Sequence, residues 1–210
     1  MGLGRVTPPP KAPLNAPLMV GAIVLAAGLS RRMGAAKLAM PVDGVPMLAR
    51  TLATVQAAGL PLLLVTGGHQ DAVRAVAGDG PQVRAEGFEK GLAESLKAGL
   101  RAAPACWDAA LVVLGDMPFV EAGSLRALAG ALAGGARAVV PVQAGLRGNP
   151  AGFAREAWPA LLALEGDRGA RGVLDALGAV EVAVDDPGVL RDLDVPGDLD
   201  VPGDLDGGGR

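Results

Sequence analysis

The chain has 210 residues, 50% of them hydrophobic and 20% charged, which supplies material for one packed core and too little charge for a disordered chain. Its net charge of −3, from 19 basic and 22 acidic residues in mixed order, and its 2% aromatic content exclude a protein built to grip nucleic acid, which needs basic surface and stacking rings. One cysteine, Cys106, and one histidine, His69, exclude an intramolecular disulfide and the usual zinc ligand sets; a metal here must be held by carboxylates, with Mg²⁺ the first candidate, and the compartment is expected to be the reducing cytoplasm.

Residues 1–17 carry Pro8, Pro9, Pro10, Pro13 and Pro17, a density that no helix or central strand accepts, and predict an extended tail. The uncharged run Leu18 to Leu29 is too short to span a bilayer, and the prolines ahead of it fit a signal peptide poorly, so no membrane partner is expected. One domain is expected over 18–199. Beyond it, residues 200–210 read as a flexible tail in which Asp198 to Gly203 repeats Asp192 to Gly197 and a glycine run follows.

Between the tails, apolar runs of strand length alternate with alanine-rich segments of helical period, the pattern of an α/β domain with a mostly parallel sheet. Strands are predicted at Met19 to Ala26, Pro61 to Val65, Gln82 to Ala85, Ala109 to Leu114, Ala138 to Pro141 and Val180 to Val184. Helices are predicted at Pro46 to Ala58, Gln70 to Ala77, Leu92 to Ala102, Glu121 to Leu132, Ala154 to Leu164 and Ala170 to Leu177.

The first strand runs directly into Leu25-Ala26-Ala27-Gly28-Leu29-Ser30-Arg31-Arg32-Met33-Gly34, with Lys37 following as an exposed loop lysine. Small residues let backbone approach a ligand, turn N–H groups and Ser30 can donate to phosphate oxygens, and the cations neutralise charge. The pattern is neither a Walker loop nor a dinucleotide fingerprint. The alternative is a surface turn with solvated arginines.

The apolar run Leu111 to Leu114 ends in Gly115-Asp116-Met117-Pro118, which places a carboxylate at the ligand-binding edge of a parallel sheet. Asp116 reads there as a Mg²⁺ ligand or as a turn or cap residue. In Asp192-Leu193-Asp194-Val195-Pro196 two carboxylates share a face if the segment is extended, while Asp194 equally suits a helix cap. Gly145-Leu146-Arg147-Gly148-Asn149-Pro150 and Gly166-Asp167-Arg168-Gly169-Ala170-Arg171 place arginines in glycine-rich turns, as substrate contacts or plain loops. His69 has no serine or cysteine partner at motif spacing and is given no catalytic role.

These segments, in order, resemble the molybdenum cofactor cytidylyltransferases of the MobA-like nucleotidyltransferase group, over about Val20 to Leu199. The resemblance implies a single Rossmann-like domain with a mostly parallel mixed sheet flanked by helices. It implies transfer of CMP from CTP to molybdopterin-type cofactor with release of pyrophosphate, Mg²⁺ as cofactor, and a molybdoenzyme receiving the product. It further implies that Leu25, Ala26, Ala27, Gly28, Ser30, Arg32 and Gly34 form the nucleotide loop, that Lys37 touches the phosphates, that Arg147 and Asn149 contact the nucleotide, and that Asp116 with Asp194 or Asp192 holds the metal. Lys37, Arg32 and Asp116 are the expected catalytic set. Guanylyl members read Leu-Ala-Gly-Gly where this chain has Ala27, which points to cytosine. Rival readings are another acceptor such as a sugar phosphate, GTP as donor, or a non-catalytic nucleotide carrier.

Overall fold

Strand β1, Val20–Ala26, is buried at every position, as its unbroken apolar sequence requires of a strand covered on both faces. In the computed structural model, which describes residues 18–28, 36–166 and 169–193, this strand is an interior strand of an eight-stranded sheet. The other strands are β2 Pro41–Val42, β3 Val45–Pro46, β4 Leu62–Thr66, β5 Gln82–Arg84, β6 Ala109–Leu114, β7 Ala138–Gln143, β8 Leu146–Arg147, β9 Ala151–Ala154 and β10 Val180–Ala183. The helices are α1 Met47–Ala57, α2 Gln70–Ala77, α3 Leu92–Ala102, α4 Ala122–Ala133, α5 Trp158–Leu162 and α6 Arg171–Leu177. The two tails, Ser30, Arg32, Gly34 and Asp194 lie outside the described residues.

The sheet order is β10-β7-β9-β6-β1-β4-β5, with β8 pairing β7, while β2 and β3 form a separate hairpin. Strand β1 runs parallel to both β4 and β6, and only β9 and β8 run against the rest of the large sheet. This is a single α/β domain with a mixed, mostly parallel sheet flanked by helices, as expected. Period-2 alternation divides the core in two. Ile23, Leu25, Val65 and Val112 face one layer with Leu96 and Leu100 of α3, while Ala22, Val24, Leu111 and Val113 face Leu48 of α1 and Leu125 and Leu128 of α4.

The expected strands and helices all appear within a few residues of their predicted bounds, except that Ala154 to Leu164 opens on a 3₁₀ turn, Arg155–Ala157, before α5. Strand β9 was not foreseen. Its sequence, Ala-Gly-Phe-Ala, has no β-branched residue, and Gly152 is needed because a Cβ there would stand 2.7 Å from side-chain atoms of Leu111 and Val139. Also unforeseen was the β2–β3 hairpin, although its turn Asp43-Gly44, with φ of 50° and 77°, is the Asp-Gly pair that two-residue hairpins favour.

Candidate functional site

Strand β1 is the switch point of the sheet: the chain steps from it outward to β4 and β5, then returns to its other side with β6. In such sheets the crevice outside the carboxyl ends of the diverging strands receives ligands. Three chain exits meet here. Gly115 N–H, leaving β6, donates to Leu25 O at 3.0 Å, and Gly68 N–H, leaving β4, donates to Ala27 O at 3.0 Å. Glycine at 67 is a steric need, since a Cβ there would lie 2.8 Å from the Ala27 methyl and 2.7 Å from the Phe88 ring. Ala27 is buried and Gly28 is exposed at the lip, with Leu25 and Ala26 buried behind them.

Asp116 is held from several sides. Thr51 of α1 shares its hydroxyl proton between Met47 O at 3.3 Å and Gly115 O at 3.2 Å, tying the preceding peptide to the helix behind it. Leu193 N–H donates to Asp116 O at 3.3 Å, while the Leu193 side chain is buried against Val42 and Met47. Asp116 lies in the turn after β6, the cap of α4 is Glu121 instead, and the Asp116 carboxylate accepts from Lys37 Nζ at 3.0 Å. Lys37, expected to be exposed, has a side chain only 8% exposed against 27% for Asp116. A buried ammonium needs an anion nearby, and the Asp116 carboxylate supplies one.

Asp192 is exposed, one residue before the Leu193 contact with the Asp116 backbone, so the carboxylates expected to act together lie on adjoining segments. Among the described residues no His, Cys, Asp or Glu cluster of three forms a closed metal cage. The Asp116 carboxylate, partly open to water beside the segment that carries Asp192, is of the oxygen-donor type that a hard cation such as Mg²⁺ takes while keeping its remaining positions for phosphate and water oxygens.

Beside this crevice, on the α3 and α6 side of the sheet, lies a cavity of about 310 Å³. Leu25, Leu96, Val112, Leu114, Val140 and Phe153 form its apolar walls, and Arg147, Asn149 and Arg171 add polar groups. Arg147 is engaged: its Nε donates to Glu181 at 2.8 Å and its Nη1 to Asp175 at 2.7 Å, and these bonds raise its pKa above the ordinary value, the Glu181 bond most. Asn149 is fixed by its backbone, whose N–H donates to Val189 O at 2.8 Å. His69 adopts a left-handed conformation, φ 52°, at the start of α2.

Sequence reasoning singled out Lys37 and Asp116 and missed the groups that hold them. Thr51 carries no local signal. Asp186 is buried and accepts from Glu121 N–H at 2.9 Å, Ser124 Oγ at 2.7 Å and Gly188 N–H at 2.9 Å, clamping the start of α4 from across the sequence. The finished site offers a cation beside a carboxylate, backbone N–H groups of a small-residue loop, and an adjoining apolar cavity. Such a set can bind and neutralise phosphates next to a second ligand.

Residues 22–182 match the family described as the MobA-like NTP transferase domain. The purine catabolism protein PucB of Bacillus subtilis (strain 168) is 33% identical over 199 residues, which cover 87% of this chain and 95% of PucB. The bifunctional protein GlmU of Chromobacterium violaceum is 37% identical over 130 residues; the match takes in 60% of this chain, which spans only 28% of the length of GlmU. Among solved structures, Rv0371c from Mycobacterium tuberculosis H37Rv superposes with a TM-score of 0.79 at 30% identity over 87% of this chain and 96% of that one. Its complex with manganese gives 0.74 at 28%, over 86% and 95%.

Proposed function

This chain belongs to the MobA-like NTP transferase family and is a nucleotidyltransferase, and from that premise we propose that it transfers CMP from CTP to the phosphate of a molybdopterin-type cofactor, with Mg²⁺ as its metal. The carrying observation is the juxtaposition at the switch point: Leu25 and Leu114 line the cavity, and Ala27 and Asp116 each follow two residues later, where the chain leaves β1 and β6. Donor phosphates at the crevice and an acceptor in the cavity would then meet across the same two strand ends. The cavity, about 310 Å³, is of the size that binds small molecules.

In this reading an acceptor phosphate oxygen attacks the α-phosphorus of CTP, the bond from that phosphorus to the bridging oxygen breaks, and pyrophosphate leaves. The attacking oxygen is already anionic, so no histidine base is required. Gly28 and the following loop with Ser30, Arg32 and Gly34 present donors to the phosphates, and Lys37 neutralises charge that grows on the leaving group. Asp116, with Asp192 or Asp194, would hold Mg²⁺, which would supply positive charge to offset that of the phosphates. The manganese complex of Rv0371c supports a divalent metal of this class.

Ala27, where guanylyl members carry glycine, is the residue we read as favouring cytosine; its methyl packs toward Gly67. Arg147 and Asn149 stand on the cavity wall and serve as substrate contacts where nucleotide and acceptor meet. The deciding experiment is pyrophosphate release from purified protein with Mg²⁺ and molybdopterin-type cofactor, supplying CTP, GTP, ATP and UTP one at a time. Release with CTP alone supports the proposal. Silence with all four, while CTP still binds in an Asp116-dependent way, rejects the acceptor.

A further inference from the structure

The backbone that carries Asp192 runs along the loop that carries Asp116, and the two are fastened together at successive points. Asp186 accepts from Glu121 N–H at 2.9 Å and from Ser124 Oγ at 2.7 Å. Gly188 presses on the Phe119 carbonyl so closely that any side chain at 188 would overlap it. Arg191 lays its guanidinium over the Phe119 ring, 4.2 Å from the centroid, and Leu193 N–H reaches Asp116 O. A second guanidinium, that of Arg50, lies 5.5 Å from the same centroid. Its Nη1 is itself fixed by Val42 O at 3.0 Å and by the Asp43 carboxylate.

Two cations around one ring repel each other unless the negative face of the ring offsets that repulsion, which an aliphatic side chain of similar size does not do. Phe119 follows Asp116 by three residues, and Arg191 directly precedes Asp192, so the ring links the two carboxylate-bearing segments through their nearest neighbours. We propose that Phe119 is a positioning residue for the metal: by gripping Arg191 it holds the backbone presenting Asp192 against the backbone presenting Asp116. This deepens the metal-dependent reading above and rests on it.

The test is Mn²⁺ binding to the purified full chain without nucleotide, followed by the loss of the free-ion electron paramagnetic resonance signal. F119L, which keeps apolar bulk and removes the ring face, should weaken binding by about five-fold, the worth of one partly exposed cation–π contact. F119Y, which restores the face, should return to within about two-fold of wild type. R191M removes the guanidinium on the Asp192 side and should weaken binding in the same direction, and combined with F119L it should cost less than the sum of the two, since both variants delete the Phe119–Arg191 contact. It also carries the test if F119L fails to fold. Equal affinity in wild type, F119L and R191M, with binding still abolished by D116N, overturns this inference alone. F119Y as weak as F119L also overturns it, because packing rather than the ring face would then be responsible. Wild type that binds no Mn²⁺ overturns the metal reading and this inference together.

Discussion

Replacing Lys37 by methionine keeps the length and apolar stem of the side chain and deletes its charge. The ammonium sits 3.0 Å from Asp116 Oδ2 with only 8% of its side chain exposed, so methionine fits the same space. The anion left behind is 27% exposed and retains contact with water, so the penalty falls well short of that for a fully buried orphan charge and comes to about 1 kcal/mol. For a domain of this size that lowers Tm by about 2–4 °C. The effect on chemistry is larger. Deleting one preorganised group aimed at developing charge typically costs about 10²–10³ in kcat, and Lys37 is the cation positioned beside the proposed metal carboxylate. The assay pairs pyrophosphate release at saturating CTP and Mg²⁺ with a thermal melt of the same sample. A drop in kcat of less than about ten-fold refutes the assignment of Lys37 to the phosphates, and a Tm loss above about 10 °C refutes the reasoning that Asp116 remains solvated.

Asp186→Ala leaves the Glu121 and Gly188 N–H groups and the Ser124 hydroxyl without their acceptor, and should destabilise by about 3–5 kcal/mol in urea unfolding, with Ser124→Ala costing about 1 kcal/mol. Thr51→Val keeps the shape but strips Gly115 O of its side-chain donor; a loss of about 1–2 kcal/mol with a fall in turnover is expected, and Thr51→Ser should recover both. The Glu94 carboxyl is held below its ordinary 4.5 by the hydrogen bond from Lys97. A carboxyl lowered in the folded state stabilises above the unfolded value and loses that contribution as pH falls through the folded one, so Glu94→Gln should melt slightly below wild type at neutral pH and converge with it in acid.

What the sequence revealed is what local pattern can carry. The run Ala109 to Leu114 matches β6 residue for residue, because a strand buried on both faces must be apolar throughout and a glycine ends it. Helices α2 and α3 begin and end at their predicted residues, α2 at Gly78 with φ 70° and α3 opening after Gly91 with φ 122°. Asp116 was legible for the same reason: its place after a buried parallel strand puts it at the ligand edge before any side chain is seen. Strand β9 escaped because its partners, β6 and β7, hold it in place from both sides, and four small or aromatic residues need no strand propensity of their own there.

The residues that stayed hidden act across sequence separations no window spans. Asp186 lies 65 positions from Glu121 and 62 from Ser124, and Thr51 lies 64 from Gly115. Neither belongs to a motif, yet Thr51 fixes the loop that carries Asp116, and Asp186 fixes the start of α4 just beyond it. The burial of Lys37 follows the same logic. A lysine in a loop is expected in water, and the Asp116 carboxylate, brought to it from 79 positions away, is what makes an ammonium tolerable inside. Motif residues can be named from sequence because phosphate chemistry restricts their type. Their supports are restricted only by geometry, which many residue types satisfy, so a variant survey guided by motifs alone would pass over Thr51, which fastens the peptide before Asp116 to α1, and Asp186, which fastens the start of α4.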